Sequence, residues 1–195
     1  VDIQAERPEM DYEKLENARL LDPSEYILNE KLGYISLNAA LNADEVLAVA
    51  YEYTVRGEIH TVGELTSNAP AAPSTLVVKM LRSTTQSPKM PTWDLMMKNV
   101  YNIGSYNLSA EDFVLDILYQ NDKAGTKVNY LPAGDIDNKI LLSVMNLDRL
   151  NTQLDAIPDG RFDYIEGITV YSNKGRIVFP VLEPFGGWLE KKINR

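Results

Sequence analysis

The alternation of apolar residues with small or polar ones over residues 45–56 constrains the fold more than any other feature of this sequence. Five apolar or aromatic residues occupy every second position: Leu47, Val49, Tyr51, Tyr53 and Val55. Because successive side chains of a strand point to opposite faces of a sheet, this period of two predicts a strand with one apolar face. Gly57 then predicts a turn into a partner strand over residues 59–65.

A short hairpin containing Gly-x-Ile occurs near both ends of the sequence. Gly33 belongs to the first copy and Gly175 to the second, an offset of 175 − 33 = 142 residues. The first copy predicts strands over residues 26–28 and 34–37, and the second predicts strands over residues 164–171 and 176–182 on either side of the turn 172–175. An internal repeat at this spacing would begin a second unit at residue 164, although two chance hairpins would give the same pattern.

The remaining segments predict a mainly β fold, namely a β-sandwich with jelly-roll-like, Greek-key topology and one or two short helices. Residues 76–81 are apolar on both faces, as in a central strand, and residues 113–119 alternate. Helical spacing over residues 91–104 and 139–151 predicts two short helices, the first capped by Thr92.

The chain is expected to hold one main module with a polar extension at each end. Residues 1–24 are expected to form an N-terminal arm with a short helix that stops before Pro23. Residues 25–187 would form the sandwich module, and residues 188–195 a C-terminal tail. Because the sequence opens at Val1 rather than at Met, we expect a segment cut from a longer protein.

The charge of the chain argues against two classes of partner. Its formal net charge is −9, and its densest basic cluster is Lys191, Lys192 and Arg195. Nucleic acids and anionic bilayers both require clustered Lys and Arg, so neither is an expected partner. The sequence contains no apolar run of about 18 residues, so it predicts no membrane-spanning helix. The absence of cysteine rules out disulfides, thiolate zinc sites and cysteine nucleophiles.

Residues that could perform catalysis are sparse in the sequence. The single histidine, His60, falls in a predicted strand, where a surface or packed role is favoured over that of a catalytic base. The sequence motifs of serine hydrolases, zincins, P-loop proteins and Rossmann folds are all missing. A pair of carboxylates could still act as a glycosidase does, but no pair stands out. The chain is therefore expected not to be an enzyme and to need no cofactor.

One acidic cluster has a spacing that suits calcium. Its members surround the turn at Asp159 and Gly160, and they are Asp148, Asn151, Asp155, Asp159, Asp163 and Glu166. Calcium prefers several carboxylate and carbonyl oxygens on a flexible loop, but this cluster does not follow the EF-hand pattern. The favoured interpretation is that these residues cap a helix and build turns. A thermal melt in excess calcium and in excess chelator distinguishes the two interpretations.

Five stretches of the sequence resemble, in the same order, the SprA/Sov proteins of Bacteroidetes. They are A-L-N-A-D-E-V-L-A-V-A-Y-E-Y-T-V at 40–55, V-V-K-M-L-R-S-T at 77–84, S-P-K-M-P-T-W-D-L-M-M-K-N-V-Y at 87–101, P-D-G-R-F-D-Y-I-E-G at 158–167 and R-I-V-F-P-V-L-E-P-F-G at 176–186. The similarity spans about residues 20–187.

The resemblance implies a place in the type IX secretion system. SprA-type proteins are its outer-membrane translocon, a very large β-barrel with soluble insertions that is required for protein export and gliding motility. This chain would be one such insertion, at the cell surface or on the periplasmic face, with other secretion components and secreted substrates as partners. A carbohydrate-binding or adhesive β-sandwich is the alternative. Trp93, Tyr51 and Tyr53 are candidates for an interaction surface if exposed, although core packing is favoured for each.

Overall fold

The structure is a computed structural model that describes residues 12–66, 70–71, 73–122 and 125–194. These residues fall into two compact units, which meet in the sequence between Met96 and Met97. Unit 1 holds the described residues up to Met96, and unit 2 holds those from Met97 onward. Small antiparallel sheets predominate in both, with two short α-helices in the described part of the chain. The expectation of a β-rich fold is confirmed at this level.

The described residues of unit 1 form three two-stranded antiparallel sheets. The strands are β1 (Tyr26–Asn29), β2 (Tyr34–Leu37), β3 (Leu47–Val49), β4 (Tyr51–Val55), β5 (Glu58–Val62) and β6 (Lys79–Arg82). The pairs are β1 with β2, β3 with β6, and β4 with β5. Two 3-10 helices, Pro23–Glu25 and Pro91–Leu95, flank this set.

Unit 2 has a three-stranded sheet and one further hairpin in its described residues. Its strands are β7 (Val100–Asn102), β8 (Tyr119–Gln120), β9 (Lys127–Val128), β10 (Val170–Tyr171) and β11 (Arg176–Val178). The three-stranded sheet has the order β10-β11-β7, and β8 pairs with β9. Its helices are α1 (Leu141–Val144), α2 (Gly187–Ile193) and the 3-10 turns Gly134–Ile136 and Ser172–Lys174.

Both Gly-x-Ile hairpins form with loops of the same length, although β10 covers only Val170–Tyr171 of the strand predicted over residues 164–171. Each loop has four residues and ends on a left-handed glycine, Gly33 with φ +66° and Gly175 with φ +58°. They differ in what surrounds that glycine. A Cβ on Gly33 would meet open space, whereas one on Gly175 would run into the carbonyl oxygen of Ser105. The second hairpin also pairs with β7 and lies within unit 2.

The long strand predicted over residues 45–56 is divided at Ala50. β3 pairs with β6 before this residue, and β4 pairs with β5 after it, so the partner changes in the middle of the alternating run. Gly63, with φ +74°, packs closely against Ala50. A Cβ added to Gly63 would lie 3.1 Å from the Cβ of Ala50. The apolar face predicted for this run is exposed along the whole of β4.

Three predicted elements differ from the structure. The prediction of a central strand over residues 76–81 is wrong. Only β6 forms there, and β3 is its one partner strand among the described residues. The prediction of a helix over residues 91–104 is wrong. Pro91–Leu95 is a 3-10 turn with Met90, rather than Thr92, at its N-cap position. β7 follows this turn, because its backbone pairs with β11. The short helix predicted before Pro23 does not form in residues 12–22, and the first described helix is the 3-10 turn Pro23–Glu25. Residues 1–11 of the expected N-terminal arm lie outside the described residues.

Residues 113–118 alternate between half-buried and exposed side chains, but they belong to no strand of the structure. Phe113, Leu115 and Ile117 pack against the core of unit 2, while the alternate residues Val114, Asp116 and Leu118 are exposed. The period of two therefore predicted the burial pattern correctly, although strand pairing begins only at Tyr119. The helix predicted over residues 139–151 is confirmed only as the single turn α1.

The core of unit 2 is built on α1, β10 and β11. Its buried members are Leu142, Met145, Leu147, Val170, Ile177 and Phe179. Within the expected C-terminal tail, residues 188–195, Trp188 and Leu189 of α2 pack against this cluster. Gly134 accommodates the helix end, because a Cβ there would run into the carbonyl of Ile193.

Candidate functional site

The β4–β5 hairpin is the most exposed regular element of unit 1. Its register places Tyr51 opposite Val62, Tyr53 opposite His60 and Val55 opposite Glu58. Arg56 and Gly57 form the two-residue loop with φ +52° and +89°, the positive angles of a type I′ turn. Every residue of the two strands is exposed except Val62, which is half-buried.

One side of this hairpin is aromatic and apolar. Residues opposite each other in an antiparallel pair share a face, so Tyr51, Tyr53, Val55, Glu58, His60 and Val62 lie together, and we call this the aromatic face. The Tyr53 and His60 rings stack with centroids 5.1 Å apart, and the Tyr51 ring lies 6.0 Å from that of Tyr53. Tyr51 and Tyr53 are each 44% exposed.

An exposed face of this kind is typical of an interaction surface. A two-stranded hairpin alone is only marginally stable in water, and contiguous apolar patches on a protein surface commonly mark binding sites. The one cross-strand ring pair, Tyr53 with His60, stabilises the hairpin without burying it. Core packing, the favoured expectation for Tyr51 and Tyr53, is wrong for both residues, because their rings are exposed and lie side by side.

Trp93, the third candidate, has a different environment. It lies in the 3-10 turn Pro91–Leu95 and is half-buried. It lines a small depression with Arg82, Thr92 and Met96. The packing role favoured for this residue fits that position better than a role in recognition.

The carboxylate of Asp148 holds the turn at Asp159 and Gly160. Asp148 is 2% exposed. Its Oδ1 accepts a hydrogen bond from the Asp159 N–H at 2.9 Å, and its Oδ2 accepts from the Gly160 N–H at 3.2 Å and from the Ser143 hydroxyl. A buried carboxylate needs such donors, because removal from water is costly unless its oxygens are satisfied.

The other members of the acidic cluster have similar local roles. Asp163 accepts from the N–H groups of Arg149 and Leu150, and its own carbonyl accepts from the buried Thr169 hydroxyl. Asn151 accepts from two backbone N–H groups and donates to Asp155 at 3.1 Å.

Asp159 and Glu166 complete the same pattern. Asp159 accepts from the Arg161 N–H, and Glu166 accepts from the Ser172 N–H. These bonds support the interpretation of the cluster as turn and cap residues. In the described part of the chain, no group of three or more acidic or histidine side chains is arranged to hold a metal ion.

Sequence reasoning did not find the ion pairs of the surface. Arg19 makes a bidentate pair with Glu25, with both N···O distances at 2.7 Å, and Glu25 also accepts from the Asp22 N–H. The Arg19 hydrogen bonds, followed by the Asp22 N–H, lower the pKa of Glu25 to about 2. The capping pattern Asp-Pro-Ser-Glu at residues 22–25 is the signal that could have located this carboxylate.

The sequence matches neither a protein-family model nor a curated protein. None of the helices in the described residues is long and apolar enough to cross a membrane.

Proposed function

We propose that this chain is a non-catalytic, water-exposed module of an SprA/Sov-type translocon. In this role it supports protein export across the outer membrane and gliding motility. It would lie at the cell surface or on the periplasmic face, in contact with other secretion components and secreted proteins. The small sheets would pack as a β-sandwich of jelly-roll type.

The observation that carries this proposal is the exposed aromatic face of the β4–β5 hairpin. Tyr51 and Tyr53 lie within the sequence stretch 40–55 that resembles the SprA/Sov proteins. The exposed part of these side chains adds no burial energy to the folded domain, so a binding role explains their exposure better. The family resemblance supplies the partner class, and the hairpin supplies a place for the partner to bind.

The hydrogen bonding of the acidic side chains also supports a role without chemistry. Asp148 and Asp163 are occupied by backbone N–H groups, an arrangement that fixes loops and leaves little freedom for proton transfer. His60 is stacked on Tyr53. Each of these three side chains, which are suited to acid–base catalysis, therefore has a structural role.

A deletion in the full-length protein tests the proposal. Residues 25–187 are removed in frame, and both the partners recovered in a pull-down and the amount of secreted cargo are compared with the intact protein. We expect loss of at least one partner and reduced secretion. Unchanged partners together with unchanged secretion would reject a translocon role for this module.

A carbohydrate-binding or adhesive module is the second candidate, and the same aromatic face favours it. Exposed tyrosine rings can stack against the apolar faces of sugars. Titration of the protein with soluble polysaccharides, followed by NMR of the Tyr51 and Tyr53 rings, separates the two proposals. Ring shifts that saturate with a polysaccharide would favour the adhesive module over the translocon module.

A further inference from the structure

The outer edge of β4 carries unused backbone hydrogen-bonding groups. In a hairpin with a two-residue loop, the residues that flank the loop form a hydrogen-bonded pair, so Val55, Tyr53 and Tyr51 direct their N–H and C=O groups toward β5. Glu52 and Thr54 therefore direct theirs away from it. Within the described ranges β4 has β5 as its one partner strand. The free edge can accept a third strand.

The side chains at this edge suit an added strand. The aromatic face offers Tyr51 and Tyr53 to alternate residues of an incoming segment, since side chains of adjacent strands that share a face are neighbours. The opposite face offers the carboxylate of Glu52, which is exposed and bonded only at 3.4 Å by the Thr61 hydroxyl among the contacts of the described residues. An incoming strand would thus meet the tyrosine rings on one face and the Glu52 carboxylate on the other.

The charge of this region selects the kind of strand. Residues 44–64 contain five Asp and Glu against one Arg, and residues 1–96 contain 15 acidic and 8 basic residues, a net of −7. A second copy of this chain would bring the same negative charge and its own Glu52 to the edge, which disfavours self-pairing. A segment with Lys or Arg gains attraction instead.

We propose that the β4 edge binds an extended polypeptide segment that carries Lys or Arg and adds it to the hairpin as a third strand. This inference deepens the proposed function and rests on it, because the segment would belong to a partner or a secreted protein. Main-chain hydrogen bonds to Glu52 and Thr54 provide the affinity, and the Glu52 carboxylate and the tyrosine rings provide the preference for a cationic, partly apolar strand.

Synthetic peptides added to the full 195-residue chain test the mode of binding. The probe is a seven-residue peptide that alternates Lys and Val, and its amide-shift effects are followed by NMR. We expect shifts concentrated on β4 and β5, with much weaker effects from a Glu–Val peptide. As a control, the Lys–Val peptide is N-methylated at two adjacent central residues. One methyl group then lies on each edge of the peptide strand, so this peptide should not bind.

Two variants locate the edge, and a third serves as the control. Thr54→Pro removes an outward N–H while leaving the bonds between β4 and β5 in place, and it should abolish binding. Glu52→Gln keeps the strand intact and should weaken binding about two- to fivefold at low salt, the scale of an exposed ion pair. Glu30→Gln, an exposed acid in the β1–β2 loop, should bind like the wild type.

Three results would overturn the inference. They are equal binding of the Lys–Val and Glu–Val peptides, retained binding by Thr54→Pro with a native spectrum, and shifts that map away from β4 and β5. These readings are made on the purified chain, so they are independent of the deletion experiment. Loss of secretion on deletion with no peptide binding would keep the proposed function and reject the edge as its site.

Discussion

At the scale of single residues, Asp148 has the largest consequence for unit 2. Its two oxygens join α1, through Ser143, to the turn at Asp159 and Gly160. An amide at this position can offer only one acceptor atom, so Asp148→Asn leaves a buried N–H without a partner. We expect a loss of about 1–3 kcal/mol in the free energy of unfolding.

Trp188 provides the readout for this change. The chain has two tryptophans, Trp93 in unit 1 and Trp188 in unit 2, so urea unfolding in a Trp93→Phe background reports on unit 2. Asp155→Asn, at an exposed carboxylate, is the matched control and should cost about 0.5 kcal/mol or less. Equal stability of the two variants would contradict the role assigned to Asp148.

Glu25 gives a prediction of pH dependence. Its pKa is lowered from 4.5 to about 2, first by the Arg19 guanidinium and then by the Asp22 N–H. Because the folded pKa is the lower one, the stabilisation is fully present above pH 4.5 and is lost as the pH falls toward 2. Arg19→Gln should raise the pKa of Glu25 while leaving it below 4.5, since the Asp22 N–H remains. NMR titration of the Glu25 carboxyl carbon measures both values, and a wild-type midpoint near 4.5 would contradict the pairing.

At the scale of elements, the two Gly-x-Ile hairpins form a natural matched pair. Gly33→Ala meets open space and should cost only the strain of a left-handed alanine, about 1–2 kcal/mol. Gly175→Ala adds a collision with the Ser105 carbonyl and should cost about 2–4 kcal/mol in total. Tryptophan fluorescence during urea unfolding, with Trp93 for the first hairpin and Trp188 for the second, measures both. A smaller loss for Gly175→Ala would show that the second loop is not confined by Ser105.

Local pattern predicted the hairpins because their register depends on a turn and on neighbouring residues. It failed where a distant partner decides the structure. Val100 and Tyr101 have helical spacing with Trp93 and Met97, yet they form β7 because β11, more than 70 residues later, supplies their hydrogen bonds. Periodicity cannot report a partner of that kind.

The candidate site was also predicted only in part by the sequence. The alternation over residues 45–56 showed that Tyr51 and Tyr53 share a face, which the structure bears out. It did not show whether that face is covered, because burial depends on which sheet packs over it. The acidic cluster likewise showed its turn chemistry in its Asp and Gly residues, whereas the burial of Asp148 follows from the fold of unit 2.

At the scale of the whole molecule, the two units differ in charge and in core. Unit 2 has a contiguous buried cluster and an aromatic group of Phe113, Phe162 and Tyr164 beside it. Residues 1–96 carry most of the net negative charge and include the exposed hairpin, with its aromatic face open. Under the proposed function, unit 2 supplies an ordered core and the exposed hairpin of unit 1 supplies the binding surface.

The most direct test of this assignment is a pull-down of the full-length protein that carries Tyr51→Ser and Tyr53→Ser together. The matched control is Tyr106→Ser, which changes a tyrosine that is 64% exposed in unit 2. We expect the double variant to lose a partner that the control and the wild type retain, while the thermal melts of all three proteins stay close. Recovery of the same partners by the double variant would contradict a binding role for the aromatic face.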